Sequence, residues 1–190
     1  EEKPRTSKPY PPFTTSTLQQ EAGRKLRYTA KNTMRIAQRL YEAGFITYMR
    51  TDSTHLSGEA LNAARSDIDR LYGKEYLPSK PIQYATKVKN VQEAHEAIRP
   101  AGRVFTSMDT VSGALGDDAS KLYDLIWKRT MASQMVPTKM KQTTLLISNQ
   151  NALFRSRGRS SFFPDICVHM LKGKMILRQN WLTRKQSFQM

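Results

Sequence analysis

The residues best suited to chemistry are Tyr48 and Arg50, which stand two positions apart in the segment FITYMRTDS at residues 45–53. A phenol has a pKa of about 10, so holding it ionised near pH 7 costs about 4 kcal/mol. A guanidinium close by favours the phenolate and also stabilises charge on a phosphoryl group under attack. Side chains two residues apart on an extended segment share a face. The spacing therefore fits tyrosine attack on a phosphate, although tyrosines in such runs more commonly serve in packing.

A second group of candidates lies in the segment QEAHEAIRP at residues 92–100. His95 suits proton transfer or phosphate contact near neutral pH, and an ordinary exposed or core histidine is the alternative. Arg99 is able either to clamp a phosphate through two hydrogen bonds or to be solvated. Near the tyrosine, Asp52 either orients Arg50 or serves as a turn or cap residue. The sequence lacks a zinc-protease motif, because Arg99 occupies the position of its second histidine.

The 190-residue chain is strongly basic, with a formal charge of +15. This excess favours a polyanionic partner, with nucleic acid the first candidate and an anionic membrane surface the weaker one. No apolar run approaches the ~18 residues of a spanning helix, so no membrane partner is expected. The single cysteine, Cys167, rules out a disulfide within the chain and a thiolate zinc site, and it favours a reducing compartment. The sequence also lacks a Gly-rich phosphate loop, which leaves ATP use without support.

Hydrophobic periodicity and capping residues predict a chain that is helical first and β-like later, an α+β protein. The predicted helices cover residues 16–27, 32–43, 57–72, 92–98 and 117–135. A capping box from Ser16 to Gln19 is expected to start the first helix, and the stretch before Asp117 is expected to be irregular. A short extended segment is predicted at 45–49, and a β hairpin begins at residue 141 with a turn at 149–151. Residues 1–13 are rich in proline and predict a connector or the end of a strand.

Four segments in order resemble the type IA DNA topoisomerases, most closely those of the bacterial topoisomerase I type. They are PFTTSTLQQ at 12–20, AQRLYEAG at 37–44, ITYMRTDS at 46–53 and QEAHEAIRP at 92–100. The resemblance covers about residues 8–164. It implies a mainly helical domain that carries the tyrosine, flanked by β segments of an arch that closes a toroidal hole around DNA. The implied divisions are 1–15 as connector or end of the arch, 16–138 as helical domain, 139–166 as returning β segments and 167–190 as a basic tail without resemblance.

The resemblance also implies an activity. Enzymes of this family cut one DNA strand through a 5′-phosphotyrosine, reseal it, and so relax negative supercoils without ATP. Tyr48 matches the nucleophile, and Arg50 matches the arginine that contacts DNA and the transition state. His95 matches an active-site histidine, with Asp52 and Arg99 in supporting positions. The residues implied for DNA contact are Arg50, Gln19, Gln20 and Arg39.

The family implies Mg²⁺ in the full-length enzyme, bound by a Toprim domain that this sequence does not contain, and no metal in this chain itself. The isolated chain is therefore expected not to relax DNA. The expected partner is DNA, single-stranded at the cleavage site, and the expected state is a monomer. A bacterial cytoplasm, a plant or protist organelle and a nucleus all remain open as locations. The alternatives are a catalytically silent DNA-binding fragment of the same fold and an unrelated basic RNA-binding protein, against which the tyrosine segment argues.

Overall fold

Five α-helices, one short 3-10 helix and three strands form within residues 1–84, 95–149 and 152–163, which are the parts of the chain described by the structure, a computed structural model. These elements divide between two compact units. One is helical and covers Tyr10–Met135; the other is a β unit made of Glu1–Pro9 and the described residues from Val136 onward. The α+β class expected from the sequence is confirmed.

The helical unit is built around its longest helix. In chain order its elements are α1 (Thr15–Leu26), α2 (Ala30–Glu42), α3 (Gly58–Leu71), a 3-10 turn (Lys74–Tyr76), α4 (Met108–Leu115) and α5 (Asp117–Ser133). Helix α5 packs against each of the other four α-helices. Its side chains Leu122, Ile126 and Met131 are fully enclosed. Enclosing a large apolar side chain contributes about 2 kcal/mol, which makes α5 the core of this unit. Within the described ranges, no helix combines the length and the apolarity needed to cross a bilayer.

Hydroxyl side chains set the starts of α1, α2 and α3. Thr14, Thr29 and Ser57 each accept a hydrogen bond from the backbone N–H three residues later. The predicted cap of α3 is thereby confirmed. The prediction of a Ser16–Gln19 capping box is wrong by two residues, because the box of α1 pairs Thr14 with Thr17. Thr14 has the extended backbone that an N-cap requires, whereas Ser16 already lies inside the helix.

The predicted helix at 92–98 is wrong over its described residues, 95–98, and its first residues lie outside the described ranges. The N–H groups of Ala97 and Ile98 donate to distant carbonyls at 2.8 Å, so they are not available for a helical ladder. Pro100 further disfavours helical backbone before it. The stretch predicted to be irregular before Asp117 contains α4, whose first turn is capped by Ser107.

The segment predicted to be extended at 45–49 forms no strand. Ile46 makes one isolated antiparallel bridge with Pro100. Proline has no N–H to donate, so the ladder cannot lengthen through this position. Two backbone hydrogen bonds of 2.9 Å flank the bridge and hold the segment in place.

The β unit is a three-stranded antiparallel sheet in the order β1 (Glu2–Ser7), β2 (Thr138–Asn149) and β3 (Ala152–Phe163). The hairpin predicted after residue 141 is confirmed, with pairs that end at Asn149↔Ala152. Residues 2–7 are a strand rather than a connector. This strand tolerates Pro4 because it lies at the edge of the sheet, where a missing N–H costs little.

Candidate active site

The hydroxyl of Thr15, at the start of α1, fixes the backbone just after Tyr48. It donates to the carbonyl of Met49 at 2.8 Å and accepts from the N–H of Thr51 at 2.9 Å. The N–H of Thr15 also donates to the carbonyl of Thr51 at 2.9 Å. Two chain segments more than 30 residues apart are therefore joined through one threonine.

The hydroxyl of Thr47 fixes the backbone just before Tyr48 in the same manner. It donates to the carbonyl of Ala97 at 2.8 Å and accepts from the N–H of Arg99 at 3.0 Å. The N–H of Thr47 donates in turn to the carbonyl of Arg99 at 2.9 Å. Tyr48 thus sits on a non-repetitive segment whose backbone is held from both sides by hydrogen bonds to other parts of the fold.

Exposed and buried residues alternate along this segment. Tyr48, Arg50 and Asp52 are exposed, and the residue that follows each of them is buried. Tyr48 and Arg50 are therefore both open to solvent, although no strand is present, and their predicted common face stays a prediction. Tyr48 is 43% exposed, and its ring meets that of Tyr41 on α2 edge to face, with 5.3 Å between the ring centroids.

Two other tyrosines of the helical unit are poor nucleophiles. Burial raises the pKa of Tyr123 to about 12, and its hydroxyl donates to the carbonyl of Thr106 at 3.0 Å. Burial, followed by the hydrogen bond to the carboxylate of Asp118, raises the pKa of Tyr28 to about 12 as well. Phenols of this kind stay protonated near neutral pH and are weak in attack.

An open cavity of about 440 Å³ lies beside the tyrosine segment. Its lining residues are Thr15, Ser16, Arg50, Thr51, Asp52 and His95. The structure thus brings Arg50, Asp52 and His95 together around one cavity, and Tyr48 is not among its lining residues. The first turn of α1 borders the cavity and carries no acidic residue, so the helix dipole favours an anion there. With a guanidinium and an imidazole on the other walls, the cavity suits a phosphate.

Arg99 lies apart from this cavity. The residue is 6% exposed, and its guanidinium donates to Glu96 at 2.8 Å and to the carbonyl of Pro100 at 2.9 Å. Glu96 also accepts from the N–H of Ser57, the cap of α3, at 2.7 Å. Neither alternative raised by the sequence fits this environment, because the guanidinium is not solvated and its donors are directed into the protein. The geometry gives Arg99 a role in holding the 96–100 segment to α3.

Breaking this pair is expected to destabilise the fold. Glu96→Gln removes the charge opposite the buried Arg99, and we expect a loss of about 3 kcal/mol in the free energy of unfolding. This value is at the low end for a buried ion pair because Glu96 is partly exposed. Urea denaturation measures it. The matched control is Glu59→Gln, which breaks an exposed ion pair with Arg103 and is expected to cost less than about 1 kcal/mol. Equal losses in the two variants would contradict the structural role.

The same pair makes stability depend on pH. Burial by itself would raise the pKa of Glu96, but the hydrogen bonds from Arg99 and Ser57 outweigh it, so the folded pKa lies below its ordinary value. The carboxylate therefore stabilises the fold above its unfolded pKa of about 4.3, and this contribution is lost as the pH falls through the lower folded value. As the pH is lowered through this acidic range, the free energy of unfolding of Glu96→Gln is expected to fall less than that of the unsubstituted chain.

The three further residues implied for DNA contact are spread over the first two helices. Gln19 is half-buried and Gln20 is exposed on α1. Arg39 is exposed on α2 and donates to the carbonyl of Leu115 at 3.1 Å. None of them lines the cavity that holds Arg50, so their role in DNA contact stays a prediction.

Sequence reasoning missed five residues in and around the site: Thr15, Ser16, Thr47 and Thr51 beside the tyrosine segment, and Glu96 beside Arg99. Thr15 and Thr47 lie within the segments that carry the family resemblance, but a threonine that bonds across the fold has no local signature. The useful signal was their position, since each of these threonines stands inside a motif rather than at its edge.

Comparison with known proteins agrees with the motifs. The DNA topoisomerase family model matches residues 1–165. DNA topoisomerase 1 of Synechococcus elongatus is 58% identical over 173 residues, covering 91% of this chain and 19% of that protein. DNA topoisomerase 1 of Mycobacterium leprae is 56% identical over 168 residues, covering 86% of this chain and 18% of that protein. Full-length topoisomerase I from Thermotoga maritima shares the fold with a TM-score of 0.72 and 36% identity, over 92% of this chain and 29% of that one.

The fold and these matches agree, and the chain belongs to the DNA topoisomerase family. The two curated relatives given above, each more than half identical to it, are named DNA topoisomerase 1. The chain spans about a fifth of the length of these curated relatives.

Proposed function

We propose that this chain is the tyrosine-bearing part of a type IA DNA topoisomerase, which cuts and reseals one DNA strand through a 5′-phosphotyrosine and relaxes negative supercoils without ATP. The observation that carries the proposal is the placement of Tyr48. It is exposed, its backbone is fixed on both sides, and it stands two residues before Arg50, which lines an open cavity together with His95. A single strand with one phosphate in this cavity would pass close to the phenol.

The proposed step is a transesterification. The phenol of Tyr48 gives up its proton as its oxygen attacks the phosphorus, the bond from phosphorus to the 3′ oxygen breaks, and the 3′ oxygen leaves as a hydroxyl after taking up a proton. Arg50 stabilises the charge that develops on the phosphoryl oxygens. His95, on the cavity wall, is suited to hold or transfer the proton. Resealing reverses the step, and no nucleotide is needed because the covalent bond conserves the phosphodiester energy.

Among the described residues, no group of side chains fits a magnesium site on its own. Within the described residues, no three acidic, histidine or cysteine side chains come together around a common point. The cavity offers Asp52 as a carboxylate, next to Arg50 and His95, and that mixture favours an anion over a hard cation. We propose that the Mg²⁺ expected for the whole enzyme is held by another part of it.

The test is covalent capture of DNA, in two settings. In a chimera, residues 1–165 replace the matching segment of Synechococcus elongatus DNA topoisomerase 1; the second sample is the 190-residue chain alone. Single-stranded DNA labelled at either end is mixed with each protein and Mg²⁺, stopped with detergent and separated by gel. We expect the chimera to retain the 3′ label and to release the 5′-labelled piece, and we expect the isolated chain to form no adduct.

The outcomes separate the alternatives. Retention of the 5′ label instead would mean a linkage of opposite polarity and would contradict the proposed chemistry. A chimera that binds DNA in a salt-sensitive manner but forms no adduct would favour the silent DNA-binding fragment. Relaxation of supercoiled DNA by the isolated chain would contradict its proposed incompleteness.

A further inference from the structure

Tyr41 lies on the last turn of α2, and its ring is the one that meets Tyr48. The centroids are 5.3 Å apart and the planes are inclined by 68°, the edge-to-face geometry in which the positive edge of one ring meets the negative face of the other. Both rings are partly exposed, at 40% and 43%. A contact between side chains this exposed adds little to the stability of the core. Its effect is instead expected on the orientation of the two side chains.

The backbone contacts on either side of Tyr48 do not fix its side-chain rotamer. Thr15 and Thr47 fix the chain on either side of Tyr48, but neither bond limits rotation of the phenol about its own side-chain torsions. An exposed aromatic side chain without a neighbour samples several rotamers on a sub-microsecond timescale. The ring of Tyr41 is placed to favour one of them.

We infer that Tyr41 is a positioning residue that holds the phenol of Tyr48 in one rotamer through its ring, without using its own hydroxyl. The inference rests on the proposed function, since it gives Tyr41 a part in the same reaction. Aromatic pairs supply enough interaction to bias one rotamer over another by about tenfold. A nucleophile held in the direction of attack reacts faster without binding its substrate more tightly.

Two substitutions separate the ring of Tyr41 from its hydroxyl. Tyr41→Leu removes the ring and keeps an apolar side chain of good helix propensity, whereas Tyr41→Phe keeps the ring. In the chimera, we expect Tyr41→Leu to slow single-turnover cleavage at saturating DNA about tenfold, with an unchanged dissociation constant for DNA. We expect Tyr41→Phe to cleave at the unsubstituted rate.

A second readout needs no activity and uses the full chain. The eight tyrosines are replaced by 3-fluorotyrosine, and the fluorine resonance of position 48 is assigned by its loss in Tyr48→Phe. A ring edge or face nearby shifts a fluorine resonance and sharpens it. In Tyr41→Leu, we therefore expect the resonance of position 48 to move toward the chemical shift of a free tyrosine. It should stay in place in Tyr41→Phe.

Each outcome bears on the inference. An unchanged cleavage rate in Tyr41→Leu overturns it, and so does an equal loss in Tyr41→Phe, which would assign the effect to the hydroxyl. A weaker dissociation constant with a normal rate at saturation would make Tyr41 a stacking platform for a base instead, and also overturns it. If the unsubstituted chimera forms no adduct, the proposed function fails, while the fluorine signal still decides whether Tyr41 orders the phenol.

Discussion

Tyr48→Phe in the chimera is expected to abolish covalent capture of DNA and relaxation, with a loss of about 10⁴-fold or more. Phenylalanine keeps the ring and therefore its contact with Tyr41, but it removes the oxygen that would bond to phosphorus. Tyr28 and Tyr123 are unsuited to replace it, because burial raises the pKa of each to about 12. The measurement is the detergent-stopped gel with DNA labelled at the 3′ end.

The control for this result is Tyr10→Phe. Tyr10 is also exposed, and the guanidinium of Arg129 lies 5.1 Å from its ring centroid, a contact that phenylalanine retains. The control is expected to form the adduct at the normal rate. DNA binding without cleavage should be similar in both variants. A persistent adduct in Tyr48→Phe would place the nucleophile elsewhere and would remove the basis of the proposed function.

Arg50→Ala is expected to slow cleavage by about 10²–10³-fold at saturating DNA, the usual consequence of losing one donor that stabilises a developing anion. Arg50→Lys keeps the charge but loses the planar pair of donors, so an intermediate rate is expected. The measurement is the single-turnover rate of adduct formation, compared with DNA binding at several salt concentrations.

Arg70→Ala is the matched control for the arginine. Arg70 is exposed on α3, where its main contact is an ion pair with Asp67 at 2.8 Å, and its loss is expected to leave cleavage unchanged. If Arg50→Ala weakened DNA binding but cleaved normally once saturated, the arginine would serve only to hold the strand. That result would remove it from the chemical step while leaving Tyr48 in place.

Local sequence pattern predicts two of the features that build this site. The alternation of exposed and buried residues from Tyr48 to Ser53 matches the side-chain period of an extended backbone. The start of α3 follows from the Ser57 cap and the apolar stripe after it. Both features depend only on neighbours within a few residues, which is why the sequence predicts them.

The contacts between distant segments of the chain could not be predicted in the same way. The helix expected at 92–98 is lost because Ala97 and Ile98 give their N–H groups to partners at distant positions. Arg99 is occupied by Glu96 and Pro100 rather than by solvent or phosphate. Such contacts depend on which segments meet in the folded chain, and no local spacing encodes them.

The two threonine contacts have a consequence for the order of events during synthesis. Residues 47 and 15 leave the ribosome well before residues 97–99, on which Thr47 depends. Pairings across such separations form late in folding, because the intervening loop must first be closed. Under the proposed function, the segment that carries the nucleophile is therefore held on both sides only after residues 97–99 have joined the fold.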